Sequence, residues 1–432
     1  MVEPDAGLEV FQILKPLRLW VLSDLHTDHA QNLVWLKERA LRENSAHFCD
    51  VLLCAGDIAS SEKVINETLA LLAHRFDLVF FCVGNHDAHI LARKDKTSVE
   101  KIADIQTECR KLGIRLNAAV LKRPDKKALL IAPLESWYEA DFDIEPDIPG
   151  LCGDSIKKRL RWVDYSCCRW DAQLENLPGF HFGPEFGASS HLAQYFADRN
   201  RAQICDISNY FQQHASSTTV ISMSHFAPRP DCLPEKRFLI DPHLPKVSGS
   251  TKIEAQLRQI NSKIHIFGHT HLAVDYVADS VRYLNWPLGS FRERQHQTRI
   301  VSGSGILLLY DEARGFADIQ PTFWSYYYSQ YPRDANICLL APWVRRVYNA
   351  LGLSVDESIQ AQQAALRAKD PNAIPFPQYP ENNSADIYYA RTAKQYKSWR
   401  APPYDADDFQ SSLQEVNNDS SLDNDDDVTA RF

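Results

Sequence analysis

The chain has 432 residues, 44% hydrophobic and 24% charged, the balance of a soluble globular protein with one large domain or two ordinary ones. No apolar run approaches the roughly 20 residues of a membrane helix, and Met1 to Pro16 lacks the basic flank and apolar core of a signal peptide. The net charge of -9 sits mostly in the tail, where Tyr404 to Phe432 carries nine acidic residues and one Arg, so the body is nearly neutral and has no broad basic surface for nucleic acid.

Leu17 to Ser23 reads as the first strand and ends in Asp24-Leu25-His26. Asn32 to Arg42 has helical periodicity. Asp50 to Ala55 is a continuous apolar run, the pattern of a strand buried on both faces, and it ends in Gly56-Asp57. Ser61 to Arg75 is amphipathic, with Ser60 or Ser61 as its cap. Leu78 to Val83 is the next strand and ends in Gly84-Asn85-His86-Asp87. Thr97 to Leu112 is a helix whose Thr97 and Glu100 have capping-box spacing, with Gly113 as its stop. This rhythm predicts right-handed crossovers and a largely parallel sheet with helices outside.

Ala128 to Ala132 is one more strand, and then the pattern breaks. Leu134 to Asn200 is irregular and aromatic, an insertion that either shapes the substrate site or packs as a cap. Arg201 to His214 is a helix. Thr218 to Ser224 is a strand ending in His225. Thr251 to Ile260 is a helix, followed by the strand Ile264-His265-Ile266-Phe267 and then Gly268-His269-Thr270-His271. Leu272 to Val277, Val281 to Asn285 and Ile306 to Tyr310 are expected to close a second sheet. Ser302-Gly303-Ser304-Gly305 has no helix after it and reads as a turn. Farther on, Trp324 to Tyr331 is unassigned, Pro342 to Leu351 and Ser354 to Lys369 are helical, and Pro371 to Pro380 is extended. Asp405 to Phe432 has the composition of a disordered tail. The ten cysteines show no framework spacing and no C-x-x-C pair, so reduced thiols in a cytosolic or nuclear compartment are expected. Cys54 and Cys82 fall in strands, and vicinal Cys167-Cys168 is read as packing.

The residues that terminate the strands form a set: Asp24, His26, Asp57, Asn85, His86, His225, His269 and His271. In open α/β sheets, ligands bind outside the carboxyl ends of the strands. Carboxylate, imidazole and amide donors without thiolate suit borderline or hard divalent ions, and this inventory suffices for two ions sharing a carboxylate. Singly, the Asp and Asn residues read as turn formers, and His225 as a structural histidine. His29, His89 and His265 are read as structural, and Arg292 and Arg294 as either phosphate contacts or a solvated loop.

D-x-H, G-D, G-N-H-D, a lone His after a strand and G-H-T-H, in that order, resemble the calcineurin-like metallophosphoesterase superfamily across about Leu17 to Tyr310. The resemblance implies a metallo-dependent phosphatase-like α/β fold, a two-sheet β-sandwich flanked by helices in four α/β/β/α layers. It implies two divalent ions (Mn, Fe, Zn or Mg), with Asp24, His26 and His271 on the first, Asn85, His225 and His269 on the second, and Asp57 bridging. His86 is then the candidate general acid or transition-state donor, with Asp87 accepting from its other ring nitrogen and fixing its tautomer. Ile58-Ala59-Ser60 after Gly56-Asp57 and the closing Asp87 depart from the protein phosphatases. Ser60 stands where purple acid phosphatases place a Tyr ligand and where cyclic nucleotide phosphodiesterases often place an Asp.

The domain expectation is a lead-in over 1–16, a phosphoesterase domain over 17–310 with its insertion at 134–200, a C-terminal extension over 311–400 and an acidic tail over 401–432. The function expected is hydrolysis of a small-molecule or nucleotide phosphoester, mono- or diester, in the cytoplasm. The alternative is a catalytically weak scaffold that binds a protein partner through the insertion or the C-terminal extension. Nuclease action is disfavoured by the neutral body, and a membrane partner is not expected.

Overall fold

Strands form where apolar residues alternate or run on, and the two faces they present set the layers. The computed structural model describes residues 7–40, 47–90, 96–149, 162–184, 187–290, 306–351, 355–370 and 373–377. Sheet A contains, in spatial order, β1 (Glu9–Gln12), β5 (Ala119–Lys122), β6 (Ala128–Pro133), β9 (Thr218–Met223), β10 (Ile264–Phe267), β12 (Val281–Asn285) and β11 (Val274–Ala278). Sheet B runs β14 (Gly315–Phe316), β13 (Leu307–Asp311), β2 (Leu17–Leu22), β3 (Cys49–Cys54) and β4 (Leu78–Phe81). A short ribbon pairs β7 (Phe182–Gly183) with β8 (Gly187–Ala188). The strands that carry the motifs pair in parallel, β2 with β3 and β3 with β4 in one sheet, β9 with β10 in the other.

Successive side chains on a strand point to opposite faces, and the core divides accordingly. Leu19, Val21, Val51, Leu53 and Phe80 of sheet B meet Leu121, Ile131, Ile221, Met223, Ile264 and Ile266 of sheet A. Their neighbours Leu52, Cys54, Val79 and Phe81 face the other way, onto Ile65, Leu69 and Leu72 of the helix Glu62–Arg75 and Ile105 and Cys109 of the helix Ser98–Lys111. On the far side, Val120, Leu130 and Val220 of sheet A pack on Ile204 and Ile207 of the helix Arg201–His214. Helix, sheet, sheet and helix are the four expected layers. Each fully buried aliphatic side chain contributes roughly 2 kcal/mol of transfer free energy, which makes β3, buried along its whole length, the strand the sandwich is built around.

Several expectations change. The last three strands do not close one sheet. β11 and β12 form a hairpin, its turn residues Asp279 and Ser280 at φ 46° and 65°, and β12 extends sheet A beside β10. β13 crosses back and pairs antiparallel with β2, where Leu307 and Leu309 join the interior. The lead-in contains an edge strand, β1, parallel to β5; neither was read in the sequence, being four residues each. Trp324 to Tyr331 holds a helix, Phe323–Gln330, capped by Thr322, whose Oγ1 accepts from the Ser325 N–H at 3.3 Å. The helix expected from Ser354 begins at Glu357, capped by Asp356, its carboxylate accepting from Ser358 and Ile359 N–H at 3.0 and 3.2 Å. The helix expected from Asn32 begins at Ala30 and widens into a π-turn at Leu36–Ala40. The insertion is more regular than expected, with helices at Asp164–Cys167, Ala172–Glu175 and Ser190–Arg199. Arg292, Arg294, Ser302 to Gly305 and the acidic tail lie outside the described residues.

Candidate metal centre

At the carboxyl ends of β2, β3 and β10 the backbone leaves the extended region. Asp24, His26, Asp57, His269 and His271 take φ of 52°, 42°, 54°, 70° and 52°, a left-handed conformation that Asp, Asn and His tolerate better than other side chains. Cross-loop bonds hold it in place. Asp24 N–H donates to Gly56 O (3.0 Å), His26 N–H to Asp57 O (3.1 Å), Gly268 N–H to His225 O (2.8 Å) and His269 N–H to Asp24 Oδ1 (2.8 Å). The glycines of the motifs are required by close approach. A Cβ on Gly56 would stand 2.4 Å from His225 Nδ1, and one on Gly84 2.1 Å from Asp57 Oδ1.

All seven candidate ligands converge here, although sheet B supplies four and sheet A three. Asp24, His26 and His271 form one group, and Asp57, His225 and His269 another. His26 and His271 bring their Nε2 atoms within 3.0 Å, and His271 Nε2 lies 3.6 Å from Asp24 Oδ1. Asp57 Oδ2 lies 3.9 Å from His26 Nε2 and 3.4 Å from His225 Nε2, between the groups. Asn85 Oδ1 lies 3.0 Å from His225 Nε2 and 2.9 Å from His269 Nδ1. All but His271 are buried.

The donor chemistry fits cations. His269 gives its Nε2–H to Val247 O at 2.8 Å, and burial pushes the ring down to about 3, so Nδ1 is a bare lone pair facing the lone pairs of Asn85 Oδ1. Two acceptors 2.9 Å apart call for a positive charge between them. His26 Nδ1 is buried without a hydrogen-bond partner. Burial works against a charged His225, yet the Asp57 carboxylate lifts that imidazole to about 9. Burial likewise raises the Asp57 carboxyl, and the His225 and His86 imidazoles still hold it well below the usual carboxylate range.

His86 lies at the rim, its ring centroid 4.7 Å from that of His26 and its backbone N–H donating to Asp57 Oδ1 at 2.9 Å. Burial pushes its pKa down to about 4, so it is a neutral imidazole. Asp87 does not contact it as expected. The Asp87 carboxylate accepts from the backbone N–H groups of Asp57, Ile58, Ala59 and Gly84 at 2.9–3.3 Å, and so clamps the two loops to each other. The partner of His86 Nδ1 is Ser60 Oγ, at 3.2 Å. His265 is a satisfied core histidine between Ser222 and Ser224. His89 is not a bystander: its Nδ1 meets Ser60 Oγ at 3.2 Å and its Nε2 donates to Asp164 Oδ1 at 2.7 Å. Asp164 and Trp162, both from the insertion, were missed. One helical turn from His86 to His89 was a usable signal; nothing in the sequence marks Asp164.

Nine free cysteines are seen among the described residues, and no helix there is long and apolar enough to cross a membrane. A model of the calcineurin-like phosphoesterase family matches residues 17–273. Among solved structures, the phosphopantetheinyl hydrolase PptH from Mycobacterium tuberculosis is 20% identical, over 68% of this chain and 96% of that one, with a TM-score of 0.47. Vacuolar protein sorting 29 from Cryptosporidium parvum is 9% identical, over 63% of this chain and 74% of that one, with a TM-score of 0.21. No curated protein matches.

Proposed function

Because the chain belongs to the calcineurin-like phosphoesterase family, whose model matches residues 17–273, we propose that it hydrolyses a small-molecule or nucleotide phosphoester with two divalent ions. Asp24, His26 and His271 would hold one ion, Asn85, His225 and His269 the other, and Asp57 would touch both. The observation that carries this reading is the convergence of acceptor atoms on Asp57, with His269 Nδ1 and Asn85 Oδ1 2.9 Å apart. Such ions, when bound, lower the pKa of water toward neutrality and neutralise charge on a phosphoryl group.

The protein's own residues do the rest. Ala55 O and Val247 O accept from His225 Nδ1 and His269 Nε2 at 2.9 and 2.8 Å, which fixes the nitrogen each ring presents. His86 stands beside the cluster as a neutral imidazole, suited to donating one hydrogen bond to a leaving oxygen. Ser60 holds its ring. Asp87 keeps the Asp57 loop in place from beneath.

The test is hydrolysis of p-nitrophenyl phosphate and bis-p-nitrophenyl phosphate by metal-stripped protein, with Mn²⁺, Zn²⁺, Mg²⁺ or Fe²⁺ added back. Restored turnover supports the reading, and the ratio of the two rates separates monoesterase from diesterase. An Asp57→Asn variant with full metal content and full activity would refute it. No turnover in protein that still binds two ions would favour the scaffold alternative.

A further inference from the structure

Asn85 is the only amide among the candidate ligands, and an amide has two unlike ends. Its oxygen can face a cation; its NH₂ cannot. Within the cluster nothing selects the oxygen: the bare His269 Nδ1, 2.9 Å away, would draw the NH₂ instead. The selection comes from outside. Asn85 Nδ2 donates to Asp164 Oδ1 at 2.9 Å. The same carboxylate accepts from His89 Nε2 at 2.7 Å and, through Oδ2, from Trp162 Nε1 at 2.7 Å. Asp164 is fully buried, and the N–H groups of Asn85, His89 and Trp162 are all directed at its two oxygens. It therefore offers only acceptors, and an acceptor turns the Asn85 NH₂ toward itself and the oxygen inward.

We propose that Asp164 is a positioning residue through which the insertion sets the orientation of Asn85 and so the affinity of one half of the metal centre. The inference rests on the two-ion reading above. His89, Asp164 and Cys168 also lie close enough to hold a third ion. However, both carboxylate oxygens already accept hydrogen bonds, and burial raises the Cys168 thiol well above its usual range, which leaves it a poor ligand. Linkage is reciprocal. If Asp164 secures one ion, loading that ion secures the insertion.

The test uses full-length protein, stripped and titrated with Mn²⁺, with free ion followed by its electron paramagnetic resonance signal. Wild type should take up two ions; fewer than two sinks the dinuclear reading before any variant is made, and this inference with it. In Asp164→Leu, which keeps volume without an acceptor, one ion should bind about 10–100-fold more weakly and the other unchanged. Asp164→Asn, which can still accept from Asn85, should recover most of the loss, as a packing role alone would not require. A folded Asp164→Leu protein that binds both ions as wild type does would overturn the proposal, as would a third ion lost in that variant. Should Asp164→Leu fail to fold, hydrogen exchange on wild type decides. Protection of the amides around Asp164–Cys168 should rise when Mn²⁺ is added, and an unchanged pattern would overturn the proposal.

Discussion

His86 and Ser60 separate holding a ligand set from using it. His86→Ala should lower kcat by about 10²–10⁴-fold with metal content unchanged, read by elemental analysis beside the turnover assay. Ser60→Ala removes the contacts of its hydroxyl with the His86 and His89 rings, so a loss of about 2–12-fold is expected, again with full metal. Gly56 tests the geometry instead. Its φ of 86° and a Cβ position 2.4 Å from His225 Nδ1 leave no room for a side chain. Gly56→Ala should cost about 2 kcal/mol in denaturant unfolding and lower metal affinity, because His225 must move.

Between elements, one ion-paired network ties β2 to β3. Arg18 donates to both oxygens of Asp50 at 2.7 Å, and Trp20 Nε1 adds a third bond at 2.8 Å. Burial raises the Asp50 carboxyl, but the Arg18 bonds and Trp20 bring it below its usual range. A folded pKa below the unfolded value of about 3.9 gives stability that is present above that value and lost as pH falls through the folded one. Asp50→Asn should therefore be destabilised by roughly 3 kcal/mol at pH 7 and show a shallower fall of Tm below about pH 4 than wild type. This pairing also shows what was legible. Strands such as β2 and β3 announce themselves by apolar runs, and the motif residues by ending them. β1 and β5 do not, because four-residue strands carry too little periodicity. The strands β11 and β12 were legible, but the sheet they join is set by the pairing of β12 with β10, Ile264 opposite Arg282, which no local pattern marks. At the site, residues that end a strand could be found, and Asp164 could not, because it acts only through its contact with Asn85.

On the scale of the molecule, the C-terminal helices are part of the packing around the insertion. Phe323, Trp324, Trp343, Val344 and Tyr348 are buried in one cluster with Trp137, Tyr138, Phe226 and Phe238, and Trp343 Nε1 donates to Phe238 O at 3.1 Å. A chain ending before Phe323 should expose that cluster and aggregate or bind a hydrophobic dye, which size-exclusion chromatography and fluorescence would report. The order in which the chain is made adds a constraint of its own. His26 and His271 are neighbours across 245 residues, so at about 5–20 residues per second roughly 12–50 s of synthesis separate the first candidate ligands from the last. β2, meanwhile, must wait for β13 to cover one of its edges. A ribosome-bound or prematurely released fragment thus carries an open strand edge beside an incomplete set of candidate ligands. Nascent chains of this protein are the species in which pairing with the wrong strand, or capture of the wrong ion, is easiest.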